Sequence, residues 1–224
     1  MTIIYITVTI AVYLISRTIA IRFPSPFTTP VFTSTVVMIV LLLLANVSYE
    51  QYTPAKDIMT FLLGPATVAL AVPLYHNWGV LRDLLVPAAV GLIVGTFSTI
   101  ASAVWIASIF DLSETIQATS AVKAVTTPVA IEAALIIGGD PALAAAFVMV
   151  AGIFGAVFGP LFLTIMKVED PFSRGLGIGT VSHGIGTSQA VLEGPVQGAV
   201  SSAAMGFAAI VTSVILPWFF PLIN

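Results

Sequence analysis

The chain has no cysteine, and only 8% of its 224 residues carry a charge. Lack of cysteine excludes disulfides, thiolate metal sites and a cysteine nucleophile. Sparse charge excludes an ordinary soluble domain, where about a quarter of residues are charged. The seven lysines and arginines are scattered, so nucleic acid finds no basic patch to hold. Histidine is scarce as well. His183 has only His76, in a turn, for company, so a zinc site lacks ligands. Nucleophile elbow, phosphate loop and metalloprotease pair are all missing, and the Gly-x-Gly patterns follow no strand. Nothing in the residues calls for an enzyme, a cofactor or a metal.

What the chain has is apolar length. Hydrophobic residues make up 58% and the mean hydropathy is +1.11. The expected fold is all-α: a polytopic integral membrane protein in one transmembrane domain, residues 1–224, multi-pass in the cell (inner) membrane. At about 20 residues per crossing there is room for roughly seven or eight segments and no large extramembrane domain. The expected segments are 2–21, 30–46, 54–75, 81–110, 113–137, 142–166, a glycine-rich stretch at 175–194, and 196–220, with a polar loop at 47–56. The first reads as a retained helix, because Arg17 and Arg22 follow its apolar run where a secretory signal has its basic residues first. Basic residues divide evenly between alternate loops, so the positive-inside bias leaves orientation open.

Three interruptions stand out. Gly64-Pro65 and Thr127-Pro128 each fall where a half-helix can begin, since proline suits a first helical turn. Thr127 and Gly64 then take N-cap positions, and free amides near Thr67 and Ala130 make anion sites of the helix starts. The plain alternative is two proline kinks. Residues 63–71 and 126–134 resemble one another, and broken helices at matching positions of an internal repeat mark midplane sites in carriers. The third interruption, 175–194, crowds glycines with hydroxyls, a histidine and a glutamine. Unsatisfied backbone in hydrocarbon costs several kcal/mol per group, so this stretch has to line a protein-buried or watery cavity.

The ionisable residues near these interruptions are the candidates for function. Lys123 precedes the second break by one turn; an intramembrane cation costs about 2.5–3.5 kcal/mol on insertion scales and is functional by default. It either attracts a carboxylate with Thr126 and Thr127, pairs with Glu132, or snorkels to the interface. Glu132, one turn past the break, either carries a coupling proton, serves Lys123, or lies at a subunit interface. His183 sits among Ser182, Gly184, Gly186, Thr187 and Gln189. It suits proton coupling and cargo contact, or simply ties irregular backbone together. Arg174 and Glu193 bracket the stretch as interfacial residues.

Read together, Val122-Lys-Ala-Val-Thr-Thr-Pro-Val-Ala130, Ile137-Gly-Gly-Asp-Pro141, the glycines from Gly152 to Pro160, Arg174-Gly-Leu-Gly-Ile-Gly-Thr180 and Ser182-His-Gly-Ile-Gly-Thr187 resemble the LrgB/CidB family. Pro65-Ala-Thr-Val-Ala-Leu-Ala71 and Pro73-Leu-Tyr75 match as well, so the resemblance covers nearly the whole chain. Departures are Ala124, where that family usually has serine, Thr29-Pro30 for Asn-Pro, Glu132, and Gln189, where arginine is common. The family name implies control of murein hydrolase export and cell lysis with an LrgA/CidA-type membrane partner. Similarity to the C-terminal half of the plastidal glycolate/glycerate translocator implies a carrier of small monocarboxylates instead. The residues favour transport, since a holin-like lesion has no use for half-helix starts, Lys123 or His183. The expected partners are a small organic anion, the lipid bilayer and a second copy in a homodimer.

Overall fold

The computed structural model describes residues 1–23, 25–62, 65, 68, 69, 71–76 and 78–224, and every regular element among them is helical. The chain forms two compact units, Met1–Leu70 and Ala71–Asn224.

In the first unit, α1 (Thr2–Arg22) buries only Val12 and Ser16, as a lipid-facing helix does. A short 3-10 turn leads to α2 (Pro30–Leu44), with proline in its first turn. The expected loop at 47–56 is largely helix: α3 is Tyr49–Phe61. Ser48 starts it with a reciprocal cap, its hydroxyl accepting from the Gln51 amide while the Gln51 side chain accepts from the Ser48 amide. Tyr52 lays α3 on α1, its hydroxyl 3.0 Å from that of Thr9. Of the first expected break, Gly64 and Thr67 lie outside the described residues, and so does most of 63–71, the proposed repeat partner. Pro65 is described and exposed.

The second unit contains α4 (Ala71–His76), α5 (Trp78–Asp83), α6 (Leu85–Ile109), α7 (Glu114–Ala121), α8 (Thr127–Ile136), α9 (Pro141–Ile165), α10 (Pro171–Glu193) and α11 (Pro195–Ile223). With α1, the helices α6, α9 and α11 make four among the described residues that are long and apolar enough to cross a membrane. Seven or eight were expected. Two of the expected crossings, 113–137 and 175–194, are hairpins.

The second hairpin is clearest. Arg174 and Glu193 are 19 residues apart, which is about 28 Å along a straight helix at 1.5 Å per residue. Yet their side chains meet at 2.8 Å. The chain reverses at His183, whose backbone leaves helical geometry at φ 40 and ψ −141. Packing on α11 tells the same story. Gly175 and Gly179 lie against Gln197 and Ser201, so 171–182 runs parallel to α11; Val191 lies against Gly198 and Thr187 against Ser201, so 184–193 runs antiparallel. Glycine was expected to unwind this stretch. Its use is different: missing Cβ atoms let helical arms touch. A Cβ on Gly186 would overlap Ser182, and one on Gly175 would stand 2.5 Å from the Gln197 carbonyl oxygen.

The segment 114–136 folds back likewise. Thr119, in α7, accepts a hydrogen bond from the Asp140 amide at 2.8 Å, so the chain after α8 returns to where α7 runs. That base adjoins the first turn of α9. The second base adjoins the last turns of α9, through Pro160 and Thr164. The hairpins therefore enter from opposite ends of one spanning helix.

The build recurs. Helices α6 and α9 have 25 residues each and precede one hairpin each. Both close with the same motif: Leu112 N–H to the Ala107 carbonyl, and Val168 N–H to the Leu163 carbonyl. Asp111 and Lys167 take the left-handed position at φ 51 and φ 58. Gly91 and Gly95 of α6 meet Leu176 and Thr180 in parallel register, whereas Gly155 and Gly159 of α9 meet Ser182 and Ile178 in antiparallel register. Helices α6 and α9 thus run in opposite directions.

Candidate functional site

The tips of the hairpins define the candidate site. His183 turns the second one, and α9 receives it at Gly152, near the middle of that span. A Cβ on Gly152 would stand 2.6 Å from His183 Nε2. Through the space it leaves, the buried imidazole donates to the Val148 carbonyl at 2.9 Å. A carbonyl can only accept, so Nε2 carries the hydrogen; in the neutral ring Nδ1 is then the free acceptor.

Behind the tip, Thr187 is fully buried. Its hydroxyl donates to the His183 carbonyl at 2.8 Å and so takes its second bond, 2.9 Å, from the Ser201 hydroxyl. Those bonds fix a left-handed backbone that non-glycine residues rarely adopt, which here aims the ring at α9. Ser182 and Gly186 are buried beside it, Gly184 and Gln189 are half-buried, and Gly184 faces Met205.

The first hairpin turns through 122–126. Here Thr126 is the N-cap of α8 and Thr127 its first residue, a shift of one position from expectation, with Pro128 in the first turn as foreseen. The Thr126 side chain makes no capping bond, so the first amides of α8 have no side-chain acceptor there. Both threonines are half-buried. Helix α8 has ten residues, about 15 Å, which is half the thickness of a bilayer's hydrocarbon core.

Lys123 lies in that turn, half-buried, and its ammonium donates to the Thr99 carbonyl of α6 at 2.9 Å. Gly95 is level with Thr180 in parallel register, so Thr99, one turn on, is level with His183. Lys123 and His183, 60 positions apart in sequence, therefore meet α6 and α9 at one depth. An ammonium has three donors, and Thr99 engages one. Thr96, a turn before Thr99, is buried with its hydroxyl unpartnered.

Two expectations change. Lys123 does not pair with Glu132, because Thr99 holds its ammonium and the Glu132 side chain points outward, exposed. Glu132 lines a mostly apolar groove of about 420 Å³ whose walls include Pro128, Val129, Ile136, Ser213 and Leu216. Arg174 and Glu193, expected as interfacial residues, are bonded to each other as one largely buried ion pair closing the base of the second hairpin. Among the described residues no three His, Cys, Asp or Glu side chains converge as a metal site would require.

Sequence reasoning missed Thr96, Thr99 and Ser201. Backbone carbonyls leave no sequence signal, and single hydroxyls on apolar helices look alike. The small-residue face of α9 was legible, though not its partner.

The profile of the LrgB-like family matches residues 9–222. Uncharacterized protein YxaC of Bacillus subtilis (strain 168) is 37% identical over 221 residues, covering 97% of this chain and 96% of the relative. Uncharacterized protein YwbG of the same organism is 37% identical over 210 residues, covering 94% and 93%. Antiholin-like protein LrgB of Bacillus mycoides (strain KBAB4) is 30% identical over 196 residues, covering 88% and 85%. No solved structure matches.

Proposed function

The chain belongs to the LrgB-like family, and from that membership and the site geometry we propose that it is a membrane carrier of small monocarboxylates of the glycolate, glycerate, lactate or pyruvate type. One observation carries the reading: two hairpins enter from opposite ends of α9 and bring Lys123 and His183 to the same depth near its middle. A cation there is stabilised by an anion and costly without one. The cargo carboxylate takes the spare donors of Lys123 and the free amides at Thr126 and Thr127; His183 Nδ1 and nearby hydroxyls contact its other oxygens.

We read 85–136 and 141–193 as an inverted-topology repeat, in place of the pairing of 63–71 with 126–134. Opposed repeats with half-helices at the midplane are the architecture in which one bundle rocks against another to give alternating access. Glu132 and His183 are the coupling candidates for a proton or sodium ion. A homodimer in the cell membrane completes the reading.

A second reading is favoured by relatives' names: an antiholin-like regulator of murein hydrolase export that acts with an LrgA/CidA-type partner and moves nothing. Purified protein in liposomes separates the two. Saturable uptake and counterflow of a labelled monocarboxylate, abolished by Lys123→Ala and His183→Ala in folded protein, are the expected results. No uptake across the glycolate, glycerate, lactate and pyruvate panel, with or without the partner, would leave the regulator.

A further inference from the structure

The two hairpins differ where each closes on its span. At the second, Arg174 uses all five of its N–H groups. Nε and Nη2 reach Glu193 at 3.0 and 2.8 Å, Nη2 also reaches the Pro160 carbonyl at 3.1 Å, and Nη1 reaches the Thr164 hydroxyl and the Val168 carbonyl at 3.2 and 3.0 Å. The pair is only 13% and 15% exposed. One guanidinium thus joins both arms of the hairpin, the loop before it and the end of α9. Bidentate charge-assisted bonds of this kind are the strong ones.

At the first hairpin the equivalent positions hold Gln117 and Ile136. They stand 57 residues before Arg174 and Glu193, as the α8 end at Ile136 stands before the α10 end at Glu193. Gln117 keeps one of the five bonds: its Nε2 donates to the Leu112 carbonyl at 2.9 Å, as Arg174 does to Val168. Ile136 is exposed and uncharged. The polar tie of this base is the neutral bond from the Asp140 amide to Thr119, which joins the hairpin to the start of α9; the rest is apolar packing, in which Ala118, Ala121 and Val122 share one buried cluster with Ile100 and Val104 of α6. The hairpin's hydrogen bond to α6 is at the tip, where Lys123 donates to Thr99. An arriving carboxylate that takes the two spare donors of that ammonium weakens its hold on the carbonyl.

We propose that the hairpin 114–136 is the moving gate of this protein and the hairpin 171–193 its fixed wall, bolted to α9 by Arg174 and Glu193. The purpose of the movement rests on the carrier reading; the inequality of the hairpins does not. Regions held by few polar ties open locally at lower free energy than those with dense buried ones.

Hydrogen–deuterium exchange of the full chain in lipid nanodiscs tests this. Amides of 114–136 are expected to exchange at least tenfold faster than those of 171–193. Glu193→Gln brings the second set to within threefold of the first. Should that variant not fold, Gln117→Arg with Ile136→Glu carries the test alone, by slowing 114–136 at least tenfold and leaving 171–193 as it was. Equal exchange in the wild-type chain, faster exchange of 171–193, or no slowing in the double variant overturns the proposal. Unequal exchange with no glycolate uptake by any variant sinks the carrier reading and keeps this one. Uptake with 171–193 as the faster hairpin does the reverse.

Discussion

Gly152 and His183 interlock: the imidazole occupies the space a side chain on residue 152 would fill, 2.6 Å from the missing Cβ, and reaches past it to Val148. Gly152→Ala gains helix propensity, about 1 kcal/mol, and expels the ring from its seat. The expected outcome is a folded, well-expressed protein whose monocarboxylate uptake falls at least tenfold. Gly159→Ala is the control. A Cβ there meets only Ile178, at 4.0 Å, so uptake should hold within twofold. Equal uptake by both variants would remove His183 from the working site.

The bond between Thr187 and Ser201 predicts coupling. Each side chain is fully buried, so Thr187→Val strands the Ser201 hydroxyl and the His183 carbonyl, a loss of about 1–3 kcal/mol. Ser201→Ala strands less, because Thr187 keeps its bond to His183. The double variant should be milder than the sum by roughly 1 kcal/mol, since in it neither hydroxyl remains to be left unpaired. Thermal unfolding in detergent at fixed pH measures all three. Strict additivity would mean the two hydroxyls do not share a bond.

Glu132 faces outward over an apolar groove, and its task can be separated from structure by removing only its proton chemistry. Glu132→Gln keeps shape and hydrogen bonding. As a coupling group it predicts that uptake loses its dependence on an imposed pH gradient, by at least tenfold in gradient-driven accumulation, while counterflow between equal pools continues. Unchanged pH dependence together with a weaker dimer on native gels would place Glu132 at a subunit interface instead.

These predictions lean on parts of the molecule that differ in how readable they were. Helices α6, α9 and α11 follow from unbroken apolar runs of spanning length, and Pro128 marked the start of α8 to within one residue. Lys123 and His183 were visible as ionisable groups in apolar surroundings. Reversal at His183 was not visible. A glycine-rich run permits both an unwound loop and two closely packed arms, and the meeting of Arg174 with Glu193 and the opposed registers of the arms on α11 separate them. The tie of Lys123 to α6 was hidden for another reason: its acceptor is a main-chain carbonyl, which every residue possesses.

Asp170 caps the start of the second hairpin and gives it a pH limit. Its carboxylate caps α10, accepting from the Ser173 hydroxyl at 2.7 Å and the Ser173 amide at 2.8 Å. Those bonds, the hydroxyl first, hold its pKa below the ordinary 3.8. A carboxyl that binds its proton less readily when folded stabilises the fold fully above the unfolded value and loses that contribution as pH falls through the folded one. Asp170→Ala is expected to cost about 1 kcal/mol of stability at pH 7. The gap to wild type then closes below about pH 3.8 as the native cap protonates. Asp170→Asn keeps a capping oxygen that does not titrate, so its melting temperature should fall less steeply than wild type over that acid range. Thermal melts of the three proteins from pH 7 to pH 3 decide it: parallel curves would show that the cap contributes nothing to the hairpin, and a gap that widens in acid would reverse the sign argued here.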